Sequence, residues 1–438
     1  MHKVLIVDDE PLICEGLGSL LLGSGLPIRD IFTAKNGYEA LDYLRLEEID
    51  LIVTDIRMDA MNGIELMQQA KIMKPWVETV VVSAHEDFHY ARQALRLGAR
   101  DYLLKPLDSE QFLDAVRNAL LKMSKFAPPE EHLSRLREDF AMKEPDEECA
   151  RRMNALLAGE LGREEAAGLL RTLQEKHGIS MAGPYFSVLK IRLQLSPEQR
   201  EDAGLYRYAA LNIVSESLGA DWTHVPFYSR EDEITVVLQW SEREYAEANV
   251  NKIAQLEMIG RSLYRNIHKH LNVRLVIGIS QILMGHEFLR VLNEQADKAI
   301  RWNARHDDYN VFYYGDLHRD SGGAEPSEED IQRQLHSIVQ NAQKYIHEHY
   351  HQKGLTLNEI AQKSHVSPNY LSYLFKKYTG FNLWEYVIKL RMEEAKRLLV
   401  TTDLRRYEIA ERVGYESPEH FSKIFKKYFG KSPSELKK

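Results

Sequence analysis

A chain of 438 residues has room for roughly three domains of ordinary size. With 44% hydrophobic residues, a net charge of −9 and only two cysteines, a disordered chain and a disulfide framework are both excluded. No apolar run reaches membrane-spanning length and the chain opens on a core strand instead of a signal peptide, so no membrane partner and a cytoplasmic location are expected.

Lys3 to Val7 is a short apolar run ending in Asp8-Asp9-Glu10-Pro11, and Leu51 to Val53 is another ending at Asp55. Val77 to Val82 ends at Ser83-Ala84, and Asp101 to Leu104 ends at Lys105-Pro106. Helical stretches separate these runs at βαβ spacing, which predicts an α/β doubly wound sheet of five parallel strands. In such a sheet the ligand crevice lies beyond the carboxyl ends of the strands, so Asp8, Asp9, Asp55, Ser83 and Lys105 converge there. Three carboxylates together repel one another, and a hard cation such as Mg²⁺ relieves that repulsion and screens an incoming phosphoryl group. Asp55 is then placed to act as nucleophile, with Lys105 and Ser83 as partners for phosphoryl oxygens. Strand-end Asp residues also serve merely as helix caps, which is the alternative for Asp8 or Asp9 taken alone.

Residues 1 to 123 resemble the receiver domain of two-component response regulators. The resemblance implies that Asp55 is the phosphoacceptor for a sensor histidine kinase. It makes Asp8, Asp9 and Asp55, with the backbone carbonyl of Arg57, the Mg²⁺ ligands, and Ser83, Tyr102 and Lys105 the phosphorylation switch, with a following proline, Pro106, that is often cis. Asp59 departs from the pattern, standing where the family commonly has proline. The face formed by a helix from Phe88 to Leu97, the strand at Asp101 and the helix from Ser109 is where such receivers pair, so a homodimer is expected on phosphorylation. Cys14, just inside the first helix, is expected to be a packing residue.

Ala127-Pro128-Pro129 breaks the last helix of this domain, and residues 124 to 149 are predicted to be a connector, with Leu133, Leu136 and Phe140 as possible pairing positions. Residues 150 to 318 are predicted as an α+β domain. Its strands are Tyr185 to Leu193, Ile234 to Trp240, Val273 to Ser280 and Val311 to Tyr314; its helices, Ala203 to Ser217, Tyr245 to Leu271 and His286 to Asn303, lie on one face. Glu231-Asp232-Glu233-Ile234, Ile277-Gly278-Ile279-Ser280 and Ala296-Asp297-Lys298-Ala299 resemble a degenerate GGDEF domain. Arg230 and Glu231 replace the paired glycines of that family, and Lys190 and Arg192 stand near the place of its metal-binding Asp. An active diguanylate cyclase is therefore the lesser alternative, and the chain is expected not to be an enzyme. Residues 319 to 337, including Asp320 to Ser327, form a polar, glycine-rich linker.

From residue 338 to 438 the balance reverses: 18 Lys and Arg against 11 Asp and Glu give +7, leaving −16 for the rest of the chain. A basic end on an acidic protein suits a polyanion. Here one stretch is written twice: Ser367-Pro368 through Lys376-Lys377-Tyr378 recurs 50 residues later as Ser417-Pro418 through Lys426-Lys427-Tyr428, each closed by glycine at Gly380 and Gly430. Ser as N-cap and Pro at the first helical position declare a helix start. Leu371, Leu374, Phe375 and Tyr378, like Phe421, Ile424, Phe425 and Tyr428, form an apolar stripe at i, i+3, i+4, i+7. The opposite side presents amide, aromatic and ammonium groups. A short helix precedes each copy, Leu357 to Lys363 and Tyr407 to Arg412, giving an all-α double helix-turn-helix. Phe381 to Val400 is an amphipathic rod that sets their separation. An ordinary solvated face is the usual reading of one such helix, and the duplication argues against it.

This segment resembles the DNA-binding domain of AraC/XylS-family transcription regulators, through Ile360-Ala361, Phe375-Lys376, Arg391, Ile409-Ala410, Val413-Gly414-Tyr415 and Gly430-Lys431-Ser432-Pro433 among others. The resemblance implies that Asn369, Ser372 and Tyr373, with Lys376, face DNA from the first recognition helix, and Glu419, His420, Ser422 and Lys423, with Lys426, from the second. Taken together the two ends imply a transcription factor whose phosphorylation on Asp55 controls promoter binding; a phosphorylation-independent regulator is the alternative. His347, His349 and His351 alternate along a helix and point different ways, so they are expected to be solvated instead of forming a metal site.

Overall fold

The computed structural model describes every residue except 59–60, 75, 85–89, 92–93, 95–97, 125–146, 162, 178–180, 182, 220–221, 231, 247–251, 307, 317–327 and 437–438. It divides into two compact units, Met1–Lys125 with Ser327–Lys438, and Phe126–Pro326.

The first unit begins with β1 (His2–Val7), α1 (Pro11–Gly23), β2 (Ile28–Ala34), α2 (Gly37–Leu46), β3 (Leu51–Asp55), α3 (Gly63–Met73), β4 (Glu78–Ser83), β5 (Ala99–Leu104) and α4 (Ser109–Ser124). The sheet is parallel throughout, in the order β2-β1-β3-β4-β5. β3 is buried at every position because helices cover both faces. Val4, Ile6, Val53 and Phe112 belong to the core under α1 and α4, and Leu5, Val7, Ile52, Leu41 and Leu66 to the one under α2 and α3. Asn36 and Asn62 start α2 and α3 by accepting from the N–H groups of Glu39 and Glu65, each at 2.9 Å. Of the helix expected from Phe88 to Leu97, Tyr90, Ala91 and Ala94 are helical and the other positions, like Asp59, lie outside the described residues.

The same unit ends in helices: α11 (Glu328–His349), α12 (Leu357–Ser364), α13 (Pro368–Thr379), α14 (Leu383–Thr401), α15 (Arg406–Arg412), α16 (Pro418–Phe429) and α17 (Pro433–Leu436). The duplicated stretches are α13 and α16, each closed by a glycine in the left-handed region, Gly380 at φ 76° and Gly430 at φ 73°. Phe375, Phe421 and Phe425 are fully buried, each contributing about 2–3 kcal/mol of apolar transfer. The stripe ends sooner than expected, since Tyr428 is 42% exposed and Tyr378 half-buried; the last turn of each helix overhangs its core. The rod begins at Leu383 instead of Phe381, because Asn382 takes the N-cap and accepts from Trp384 N–H at 3.1 Å.

The second unit contains α5 (Glu147–Ala158), α6 (Arg163–His177), β6 (Tyr185–Gln194), α7 (Ala203–Leu218), β7 (His224–Arg230), β8 (Glu233–Trp240), α8 (Glu242–Ala246), α9 (Lys252–Leu271), β9 (Arg274–Ile279), β10 (Leu283–Met284), α10 (Leu289–Arg301) and β11 (Val311–Tyr313). Its mixed sheet runs β11-β9-β6-β8-β7, with β10 beside β6. Two expectations are corrected. Helices cover both faces: α7 and α9 pack on Leu189, Ile191, Ile234 and Val236, while α5, α6 and α10 pack on Phe186, Val188 and Val237. Along β6 and β8 apolar side chains face both layers, Leu189, Ile191, Ile234 and Val236 on one side and Phe186, Val188 and Val237 on the other, where the polar Lys190 and Glu233 are buried with them. The helix expected from Tyr245 to Leu271 is α8 followed by α9, with 247–251 outside the described residues. The expected connector positions Leu133, Leu136 and Phe140, and the linker at Asp320 to Ser327, also lie outside them.

Candidate functional site

In the first unit β1 and β3 deliver their carboxylates to the same end of the sheet. Asp8 is 2% exposed, Asp55 7% exposed, and Asp9 stands open to solvent. Ligand oxygens of these three residues lie within 4.8 Å of one another, the one such acidic group among the described residues. Lys105, in the turn after β5, donates to Asp55 Oδ2 at 2.8 Å and to Asp8 Oδ2 at 2.9 Å. Burial alone would lower the Lys105 ammonium, but its hydrogen bonds and charge pairing with Asp55 and Asp8 outweigh that and hold its pKa above the usual value. Lys105 N–H donates to Ser83 O at 2.8 Å, the Lys105-Pro106 peptide is cis, and Ser83 is fully buried. Asp55 Oδ1 accepts from Ile56 N–H at 2.5 Å and Arg57 N–H at 3.2 Å, which fixes the orientation of this carboxylate.

Tyr102 is half-buried against a cluster of Ile56, Met67, Val81 and Ala94. Cys14 is buried with Sγ 3.6 Å from Asp8 O, and burial, aided by the Asp8 charge, pushes its thiol up to about 11. Two glycines bring the neighbouring segments close and were not singled out in the sequence. A Cβ on Gly63 would fall 2.1 Å from Asp55 O, and one on Gly37 2.7 Å from Met61 Cγ. The chain that follows Asp55 is thus pressed against the start of α2.

At the other end of this unit, Ser367 and Ser417 cap α13 and α16 by accepting from Tyr370 N–H at 3.4 Å and His420 N–H at 3.1 Å. Lys376, Glu419, Lys423 and Lys426 are exposed, and Asn369, Ser372, Tyr373 and Ser422 half-buried. His420 departs from the expectation of an open reading residue, being 3% exposed. Its Nε2 lies 3.3 Å from Asp42 Oδ2 and its Nδ1 3.8 Å from Glu39 Oε1, both on α2, without the alignment of hydrogen bonds. Lys427 pairs with Glu47 at 2.7 Å, and Lys423 Nζ lies 3.4 Å from Tyr43 Oη. Arg45 joins Asp42 at 2.7 Å, donates to Leu355 O at 2.9 Å and stacks 3.5 Å over the Trp384 ring. Burial would raise the Asp42 carboxyl, yet His420 and Arg45 beside it bring it down to about 2. Of the three histidines near the end of α11, His347 lies 2.8 Å from Tyr386 Oη and His349 3.0 Å from Tyr345 O.

The second unit buries charge in its sheet. Lys190, 3% exposed, lies 3.3 Å from Glu233 and 2.9 Å from Asp297, and Arg192 is 2.9 Å from Glu233. No described helix is long and apolar enough to cross a membrane.

An acid pocket at the carboxyl end of a five-stranded parallel sheet, joined to a duplicated helix-turn-helix, defines a class of protein. Residues 4–117 match the response regulator receiver domain, and residues 360–438 match a helix-turn-helix domain of the AraC type. The chain is a two-component response regulator that acts as a DNA-binding transcription regulator and not as an enzyme. Over 448 residues, covering 100% of this chain and 98% of its relative, it is 24% identical to the transcriptional regulatory protein YesN of Bacillus subtilis strain 168. Over 122 residues, 28% of this chain and 47% of the relative, it is 34% identical to the transcriptional regulatory protein HptR of Staphylococcus aureus strain N315. Among solved structures, the C-terminal domain of AraT, a response regulator from Geobacillus stearothermophilus, is 44% identical over 23% of this chain and 83% of that one, with a TM-score of 0.23.

Proposed function

We propose that Asp55 accepts a phosphoryl group from a sensor histidine kinase and that this modification controls how the chain binds promoter DNA. The Asp55 carboxylate attacks phosphorus in line, the P–N bond to the donor imidazole breaks, and that nitrogen keeps the electron pair. The observation that carries this reading is the meeting of Asp8, Asp9 and Asp55 around the Lys105 ammonium, 2.8 Å from Asp55 and 2.9 Å from Asp8. The donor set is all oxygen and anionic, which fits Mg²⁺ held by Asp8, Asp9, Asp55 and the Arg57 carbonyl; bound there, the cation neutralises charge on the phosphoryl oxygens. Ser83 then binds the phosphoryl group and Tyr102 follows it inward, repacking the face on which two copies pair. Pairing tethers two DNA-binding ends, raising effective concentration without new base contacts.

Asn369, Ser372, Tyr373 and Lys376 of α13, and Glu419, His420, Ser422, Lys423 and Lys426 of α16, are the DNA-facing residues of this proposal. Residues 1–123, 150–318 and 338–438 act as the receiver, middle and DNA-binding domains, with 124–149 and 319–337 between them; α5 and α11 reach back into those connecting stretches, to Glu147 and Glu328. The middle one is a non-catalytic, degenerate GGDEF-like module, and the chain works in the cytoplasm. Incubation with acetyl phosphate and Mg²⁺ tests the central step: the intact chain gains the mass of one phosphoryl group and binds duplexes selected from a randomised pool more tightly. Asp55→Asn gains neither. Unchanged mass in the wild-type chain refutes the reading, and changed mass with unchanged affinity leaves a phosphorylation-independent regulator.

A further inference from the structure

The strongest unassigned feature is the acidic face of α2 against α16. His420, Lys423 and Lys427 lie on one stripe of α16 at i, i+3 and i+7. Each faces a polar group of α2 or the residue after it: Asp42 and Glu39 for His420, Tyr43 for Lys423, Glu47 for Lys427. A duplex in the groove would present phosphates and base edges to the same stripe. Carboxylates therefore stand where a polyanion is to be bound, and both occupants cannot be present together.

We infer that α2 is a docking surface for the second recognition helix and competes with DNA for it, so that the docked chain grips a duplex through α13 alone. The contact is made for release. The His420 ring nitrogens approach carboxylates without hydrogen-bond alignment, and Lys423 and Lys427 are exposed at the rim, where ion pairs are weak and salt-sensitive. Around it the fit is closer: Tyr38 lies where a Cβ on Gly354 would come within 2.4 Å, and Leu46 packs on the Ile409, Phe421 and Phe425 core. A route to the phosphoacceptor exists as well. Met58 and Met61, which follow Asp55, share one core with Tyr38, Leu41 and Leu44 of α2. A rearrangement of the segment after Asp55 is thereby transmitted to the surface that covers α16.

This inference rests on α16 being a DNA reader, and the test separates the two ideas. In a Cys149→Ser chain, Glu47→Cys and Lys427→Cys are joined by a short bismaleimide, and the unlinked control carries two N-ethylmaleimide groups. The linked chain is expected to bind the selected duplexes about 100-fold more weakly than the control, the loss that follows when one of two tethered modules is withheld. Conversely Asp42→Asn with Glu47→Gln, which leaves the reading helices intact, is expected to tighten binding roughly fivefold. Failure to link in the free chain, or equal affinity of linked and unlinked forms, overturns the competition. Efficient linking in a chain whose control and wild-type forms bind no duplex overturns the DNA-reading assignment of α16, and the competition with it.

Discussion

Arg391, in the middle of α14, is the residue whose loss the C-terminal helices should feel most. It is 3% exposed; its Nε donates to Tyr350 O at 2.7 Å, one Nη donates to Gln352 O at 3.0 Å, and its guanidinium lies 5.1 Å from the Tyr415 ring centroid. It therefore ties the chain leaving α11 to the rod and the rod to the second helix-turn-helix. Arg391→Met keeps much of the apolar stem but leaves two carbonyls without their charged donor. At about 1.5–3 kcal/mol for each charge-assisted bond, less what water recovers on relaxation, the cost comes to about 3–5 kcal/mol. For a unit of this size that is about 10 °C in Tm, at about 2–4 °C per kcal/mol. Urea denaturation followed by circular dichroism measures the cost as a lower midpoint at unchanged slope. Arg391→Lys, which keeps the charge but reaches one carbonyl at a time, is expected to recover about half. A loss below about 1 kcal/mol for the methionine variant would refute the claim that this guanidinium holds the halves together.

In the second unit, Lys190→Met leaves Glu233 fully buried with Arg192 and Ser229 as its polar partners, and a destabilisation of about 3–5 kcal/mol is expected, largely relieved by adding Glu233→Leu; equal losses in single and double variants contradict it. Lys376→Ala is expected to lower the slope of log K against log salt by about 0.9 while leaving base preference alone, whereas Lys423→Ala relaxes preference in a selection experiment. Cys14 is expected to resist iodoacetamide in the native chain at pH 9, because burial raises its thiol to about 11. A folded pKa above the unfolded one favours the protonated form, so its contribution is complete below the unfolded value of 9.0 and is lost as pH climbs toward 11; fast native labelling at pH 9 defeats this. Gly37→Val is expected to disturb α2, since its Cβ meets Met61 Cγ at 2.7 Å, and hydrogen exchange across residues 38–46 should quicken.

Four strands of the first sheet were legible because each is a short run that stops at a candidate site residue, and parallel strands end on one side; β2, with Arg29, Asp30 and Thr33 along it and Ala34 at its end, carries no such mark and was not placed. The recognition helices were legible from their caps, since Ser-Pro and a closing glycine mark both ends locally. His420 was not, because its burial depends on Asp42 and Glu39, far away in sequence and inconspicuous on an ordinary amphipathic helix. In the middle domain β7 escaped notice: Pro226 interrupts it, and a strand paired on one side only tolerates proline. Lys190 and Arg192 stood out in the sequence as departures from a family pattern, but periodicity holds no hint that they would pair with Glu233 across neighbouring strands.

That pairing has a practical consequence. Glu233 and Asp297 already carry a tethered counter-ion in the Lys190 ammonium, which a chelator cannot strip. Chelation of the whole polypeptide therefore leaves this central pairing in place, and Lys190→Met is the change that uncovers its two carboxylates.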